Sequence, residues 1–285
     1  MILYQKHIMW YESKMINETL DSLEEALKYS TLPVEIKICL NSQTYIEKPI
    51  KGEPEDMFKE FMDHPIMQKA LITKKTDSDP FYNIGDWRRD IYSNKVKYTV
   101  WGESDCLLPT DFFYILSNLN IEGPHILSPA NRKMGDPTWS ETEGEGLDQY
   151  GWSWPDRIPS IPFGYFCNDY INQSQLNQIN NFKENISIIK ISQPKIAGAL
   201  LCLSPDLPKF IPEDMHFARE DYCADLVFRK KGIPHYIIKN RFVGHNFQHP
   251  LKRTNTLDSR EDNLYKKYEA ESWEAAVRFI KNYYK

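Results

Sequence analysis

The stretch Lys97-Tyr98-Thr99-Val100-Trp101-Gly102-Glu103-Ser104-Asp105-Cys106-Leu107-Leu108-Pro109-Thr110-Asp111 decides how this chain is read. Val96, Tyr98 and Val100 alternate as the inward positions of a strand do, and Trp101 extends the apolar run. Glu103 and Asp105 then stand one residue apart where the strand ends. Leu107, Leu108 and Pro109 lead into a helical segment over 111–119. In an α/β sheet the carboxyl ends of the strands are where ligands bind. Two carboxylates converging there can hold a divalent cation through oxygen ligands. Acids also solvate strand-to-helix turns, and the spacing alone favours that plainer account.

Working outward, residues 2–9 read as a first strand. Residues 12–29 read as a helix, with Ile16, Leu20, Leu23 and Leu27 forming one apolar stripe. Residues 34–40, Val-Glu-Ile-Lys-Ile-Cys-Leu, are a buried strand that runs into the polar loop Asn41-Ser42-Gln43-Thr44. A helix is expected over 54–68, a short strand over 70–73, and a helix over 83–92 that feeds the strand ending at Glu103. This β-α-β-α-β-α-β order predicts a mostly parallel central sheet with helices on both faces. Residues 131–170 differ: they are rich in Gly, Pro, Trp and Tyr without a period, as a functional loop is. Regular patterning resumes at 186–191 and 196–203. A helix over 220–231 stops at Gly232 and Pro234. A strand follows over 235–239, and terminal helices over 259–284.

With 285 residues, 41% of them hydrophobic, the chain can bury a substantial core in one large α/β domain or two small ones. The formal net charge of −5 argues against a chain that binds nucleic acid over its whole surface. Five scattered Cys (Cys39, Cys106, Cys167, Cys202, Cys223) show no metal-ligand spacing and read as reduced, buried thiols of a cytosolic protein. The opening Met-Ile-Leu-Tyr-Gln-Lys-His-Ile-Met-Trp is interrupted by Lys6 and His7 and does not read as a signal peptide. No run reaches the ~18 apolar residues of a membrane span. A cytoplasmic location is therefore expected.

A second segment changes the reading of the acidic pair. In Pro212-Glu-Asp-Met-His-Phe-Ala-Arg-Glu220-Asp221-Tyr222-Cys-Ala-Asp-Leu226-Val-Phe-Arg229-Lys-Lys-Gly232, Glu220 and Asp221 open a helix. The helix dipole favours negative charge there, and acids cap helices routinely. The segment also resembles the acceptor-site motif of glycosyltransferase family 2, in which a Glu-Asp pair opens a helix continuing Tyr-x-x-x-Leu-x-x-Arg-x-x-x-Gly. Gly198-Ala-Leu-Leu-Cys-Leu-Ser204 is similar to the strand before that motif. Tyr82-Asn-Ile-Gly-Asp-Trp-Arg-Arg-Asp90 resembles the family helix that precedes the metal strand. Glu103-Ser104-Asp105 stands where the family has Asp-x-Asp, and Asn41-Ser42 where it usually has Asp and Ser. The similarity covers roughly residues 1–120 and 195–250.

The resemblance implies a GT-A fold, a nucleotide-sugar donor with a UDP-sugar as the leading choice, and Mn²⁺ or Mg²⁺. The chain would form one GT-A domain over 1–285: a nucleotide-sugar half over 1–120, an acceptor half over 121–257, and C-terminal helices over 258–285. Asp105 would ligate the metal, and Glu103 would reach it through water or contact the ribose. Family members often supply a C-terminal His, for which His245 fits best by position and His249 second. Asp221 would be the base that takes the acceptor proton, with Glu220 anchoring helix or acceptor, and the anomeric centre would invert. Asn41, Ser42 and Ser104 would line the nucleotide. Asp79, or Asp77 beside it, would meet a pyrimidine edge. Arg88 or Arg89 would meet the diphosphate or the acids.

The acceptor is less defined. Residues 226–257 contain no Asp or Glu but hold Arg229, Lys230, Lys231, Lys239, Arg241, Lys252 and Arg253, a basic patch within an acidic chain. Trp139, Trp152, Trp154 and Tyr165 offer rings that stack on sugars or on unpaired bases. Family-2-like transferases without a membrane anchor occur in large bacteriophages, where some glycosylate hydroxymethylated pyrimidines in DNA. The alternatives are a polysaccharide or lipid-linked sugar acceptor, and a catalytically silent protein that binds a nucleotide or carbohydrate with the same fold.

Overall fold

A computed structural model describes residues 1–9, 15–43, 54–91, 93–133, 170–180, 186–190, 200–205, 207, 210, 220–246 and parts of 270–282. In chain order the first half holds β1 (Ile2–Met9), α1 (Ile16–Leu27), β2 (Val34–Asn41), α2 (Pro54–Met62), α3 (Pro65–Lys69), β3 (Leu71–Lys75), α4 (Ile84–Asp90), β4 (Tyr98–Gly102), β5 (Cys106–Leu107) and α5 (Phe112–Asn118). The second half holds β6 (Ile126–Lys133), α6 (Gln173–Asn180), β7 (Ile188–Lys190), β8 (Leu200–Leu203), α7 (Glu220–Lys230) and β9 (His235–His245). One nine-stranded sheet runs through both halves in the order β3-β2-β1-β4-β8-β6-β9-β5, with β7 also paired to β9.

The order β3-β2-β1-β4 is parallel throughout. Strand β8 enters antiparallel between β4 and β6, β6 and β9 pair in parallel, and β5 and β7 lie antiparallel to β9. Strands β1–β4, β6 and β9 thus share one direction, against β5, β7 and β8. The fold is the α/β type expected, a largely parallel sheet with helices on both faces.

Side-chain alternation builds those two faces. Ile2, Tyr4 and Ile8 of β1, Val100 of β4 and Cys202 of β8 join one core with Leu20 and Leu23 of α1 and Phe112 and Phe113 of α5. On the other face Leu3 of β1 and Cys39 of β2 pack on Trp87 of α4, while Trp101, Leu201 and Leu203 pack on Ala224, Val227 and Phe228 of α7. Cys39, Cys106 and Cys202 are buried free thiols, as expected. No helix among the described residues is long and apolar enough to cross a membrane.

Four departures from the sequence reading have physical causes. The helix expected over 54–68 breaks into α2 and α3 because Pro65 drives His64 to extended backbone (φ −63°, ψ 139°), from which its ring accepts the Ile66 N–H. Strand β6 was not expected. Pro129 lies inside it and suppresses the strand pattern, and the register with β9 shifts between Pro129 and Ala130, the bulge that a proline requires. Helix α6 is rich in Gln and Asn and has little periodic signal. Strand β9 runs well beyond residue 239, because its extension is paid for by pairing with β6 and β5 rather than by local alternation.

Candidate active site

Glu103, Ser104 and Asp105 follow β4 at the carboxyl end of the parallel strands. The chain then turns into β5, where Cys106 stands directly opposite His245 of β9. The Asn246 N–H donates to the Asp105 carbonyl at 3.1 Å and closes the pairing. This ladder places the His245 Nε2 3.2 Å from Glu103 Oε2 and 3.2 Å from Asp105 Oδ2. Asp105 is fully buried and Glu103 partly exposed, so the cluster has a closed floor and an open side. Burial pulls the His245 pKa down, but Asp105 by charge and hydrogen bond, followed by Glu103, outweighs it and raises the value to about 8.

The field that holds a proton on a buried imidazole also attracts a cation. Glu103, Asp105, Cys106 and His245 bring one ligand atom each within 4.8 Å of one another. Two carboxylates and an imidazole suit Mg²⁺ or Mn²⁺. The Asp105 and His245 expected from sequence are thus brought together, with Glu103 beside them.

Around the ends of β1 and β2 the polar residues build the floor. Asn41 is buried; its amide donates to the Tyr82 carbonyl (2.8 Å) and faces the His7 ring (3.3 Å), and its oxygen accepts the Gln43 N–H (3.0 Å). Ser42 donates from both its N–H and its hydroxyl to the Lys75 carbonyl. Gln43 donates to the Thr76, Asp79 and Pro80 carbonyls and accepts from the Tyr82 N–H. Sequence reading passed over Gln43, which ties the loop after β2 to the turn over 76–82; a single amide in a polar loop carries no signal of that. Asp79 closes this turn by accepting from the Thr76 N–H and hydroxyl, which lower its pKa, and it is half-buried. Ser104 is buried within the acidic turn.

Asn83 caps α4 in a reciprocal box with Asp86. Arg88 on that helix is fully buried, its guanidinium 4.6 Å over the Trp101 ring beneath the end of β4. Arg89 instead pairs with Asp86. Burial, and then Arg88, lower the His7 pKa to about 3.

Asp221 lies half-buried in the first turn of α7, outside the ligand cluster. The Glu220 backbone opens that helix; its side chain, with Trp139, Trp152, Trp154, Tyr165 and His249, lies outside the described residues. Much of the basic segment is engaged: Arg229 pairs with Asp225, Arg241 makes a two-point contact with Asp111 and is nearly buried, and Lys231 stands 4.0 Å over the Phe210 ring. A second group, Asp21, Glu24 and His64, also converges. There the His64 Nδ1 accepts the Ile66 N–H, so the neutral ring carries its proton on Nε2, 3.1 Å from Asp21. That ring has no lone pair left for a metal.

No protein-family profile matches the chain, and no curated protein does. Among solved structures it is similar to a mycobacterial protein (11% identity, TM-score 0.52, covering 97% of this chain and 74% of that one). At that identity the likeness is one of fold. It also aligns with residues 1–349 of S. aureus TarS (12%, TM-score 0.43, 85% and 59%). A third alignment is with the mannosyltransferase PcManGT from Pyrobaculum calidifontis, in complex with GDP-Man and Mn²⁺ (10%, TM-score 0.45, 99% and 74%).

Proposed function

We propose that the protein transfers a sugar from a nucleotide-sugar donor to an acceptor hydroxyl, with a divalent cation at Glu103, Asp105 and His245. The convergence of these three side chains from distant parts of the chain at the carboxyl end of the sheet carries the reading. A cation bound there supplies neutralisation of the charge that grows on a diphosphate leaving group. Asp105, His245 and Glu103 would hold it. Asn41, Ser42, Gln43 and Asp79 shape the nucleotide side, chiefly by fixing the loops, and buried Arg88 adds positive charge beneath it. Asp221 takes the acceptor proton, and attack opposite the leaving group inverts the anomeric centre.

For the acceptor, a sugar hydroxyl of a glycan fits better than a DNA base. Arg229, Arg241 and Lys231 are engaged within the protein. A hydroxymethylated pyrimidine in DNA is the second reading and rests on the acid-free segment over 226–257.

The test is a donor panel with Mn²⁺ offered to glycan acceptors and to hydroxymethylated DNA, read by mass. Asp221→Asn is expected to lower turnover by about 10²–10⁴-fold while donor-induced thermal stabilisation persists. Full turnover by that variant would remove Asp221 from the mechanism. Donor binding without transfer or hydrolysis in the native protein would identify a binding protein instead.

A further inference from the structure

We infer that Cys106 is a fourth ligand of the cation, binding as a thiolate, and that the site consequently prefers borderline dications such as Zn²⁺ or Co²⁺ over Mg²⁺. The inference rests on the metal site proposed above. Cys106 and His245 are directly opposed in an antiparallel pair, and opposed residues of such a pair project their side chains to the same face. The backbone register, rather than one rotamer, therefore puts sulfur and imidazole side by side. Cys106 Sγ lies 3.8 Å from Asp105 Oδ1, and all four ligand atoms fall within 4.8 Å of one another. Metal–ligand bonds are about 2.0–2.3 Å for oxygen, nitrogen and sulfur donors, so the ligand atoms of a tetrahedral ion lie roughly 3.3–3.8 Å apart. The His245–carboxylate separations of 3.2 Å already match, and the widest separation, up to 4.8 Å, contracts by about 1 Å to close on an ion.

The surroundings set the chemistry. Cys106 is 1% exposed and its other neighbours are core side chains, so its thiol rests there as a small apolar group. On coordination the thiol passes its proton to solvent and the sulfur–metal bond forms. Thiolate is a soft donor that Mg²⁺ does not take up, while affinity rises from Mn²⁺ through Co²⁺ for sites of this kind.

Titrating the metal-free protein with Co²⁺ tests this directly. The expected result is a sulfur-to-cobalt charge-transfer band in the near ultraviolet at one equivalent, absent from Cys106→Ser and Cys106→Ala. Losing an outer-shell partner costs about 10–100-fold in metal affinity, so losing this ligand should weaken Zn²⁺ at least ~10-fold and change Mg²⁺ little. Co²⁺ binding by the native protein without a thiolate band overturns the role of Cys106 and leaves Glu103, Asp105 and His245 in place. Should neither the native protein nor Asp105→Asn bind Co²⁺, the metal site itself is refuted. The band in the native protein is informative even if both Cys106 variants misfold.

Discussion

Gly102 separates β4 from the acidic turn, and it has no room for a side chain. A Cβ there would run into the Tyr4 hydroxyl and lie 2.7 Å from Tyr4 Cζ, and Tyr4 is itself buried in the core. Its burial raises the Tyr4 pKa, so the ring stays neutral. Gly102→Ala is expected to destabilise the fold by about 1–3 kcal/mol through overpacking. Tyr4→Phe in the same chain should recover part of that loss, because it removes the nearest atom. Urea midpoints of the single and double variants measure both. Gly244 repeats the device on the opposite strand, where a Cβ would meet the Ile171 side chain at 2.8 Å. Glycines thus flank both arms of the ligand cluster, for reasons of close approach that the residue type alone does not announce.

Among the elements, α2 and α3 show how one residue redirects a chain. The apolar spacing over 54–68 is continuous enough to predict one helix, yet Pro65 ends the first and starts the second. His64 caps the restart through Nδ1 while its Nε2 donates to Asp21 of α1. His64→Ala is expected to cost about 0.5–2 kcal/mol, the range for losing a side-chain N-cap, and His64→Asn should restore most of it. Thermal denaturation of the two variants decides. Strand β9 carries the histidine of the candidate site. Its local pattern is legible only to residue 239, whereas its end carries His245 and is defined by partners β5 and β6. Asn246 then anchors the chain after β9 by bonding both the N–H and the carbonyl of Ile171.

For the molecule as a whole, three buried histidines contribute to its acid sensitivity: burial lowers His125 as well as His7 and His235. His7 on β1 and His235 on β9 are both lowered to about 3, by burial in each case and by Arg88 as well for His7. An unfolded histidine titrates near ~6.5. Between about pH 6.5 and pH 3 the unfolded chain therefore binds more protons, and stability falls as pH falls through that window. Chemical denaturation at pH 7, 5.5 and 4.5 should show this loss, and His235→Asn should flatten it. Sequence alone determined the α/β alternation, the parallel first half, the helices that open at Asn83 and Glu220, and the acids at the end of β4, because periodicity, caps and strand-end acids are local signals; His245 was expected as a ligand only through the family resemblance. It did not separate an acidic pair that solvates a turn from one that faces a histidine. The tertiary structure decided that by pairing β5 with β9. The same pairing brought in Cys106, whose spacing from any other ligand in sequence is uninformative. It also decided that Asn41, Ser42 and Asp79 are bonded to neighbouring backbone, that Arg88 is buried and that Arg89 is paired. The reason is physical: ligand sets and buried charges are fixed by long-range strand register and by the desolvation that packing imposes, and neither quantity exists in the chain before it folds.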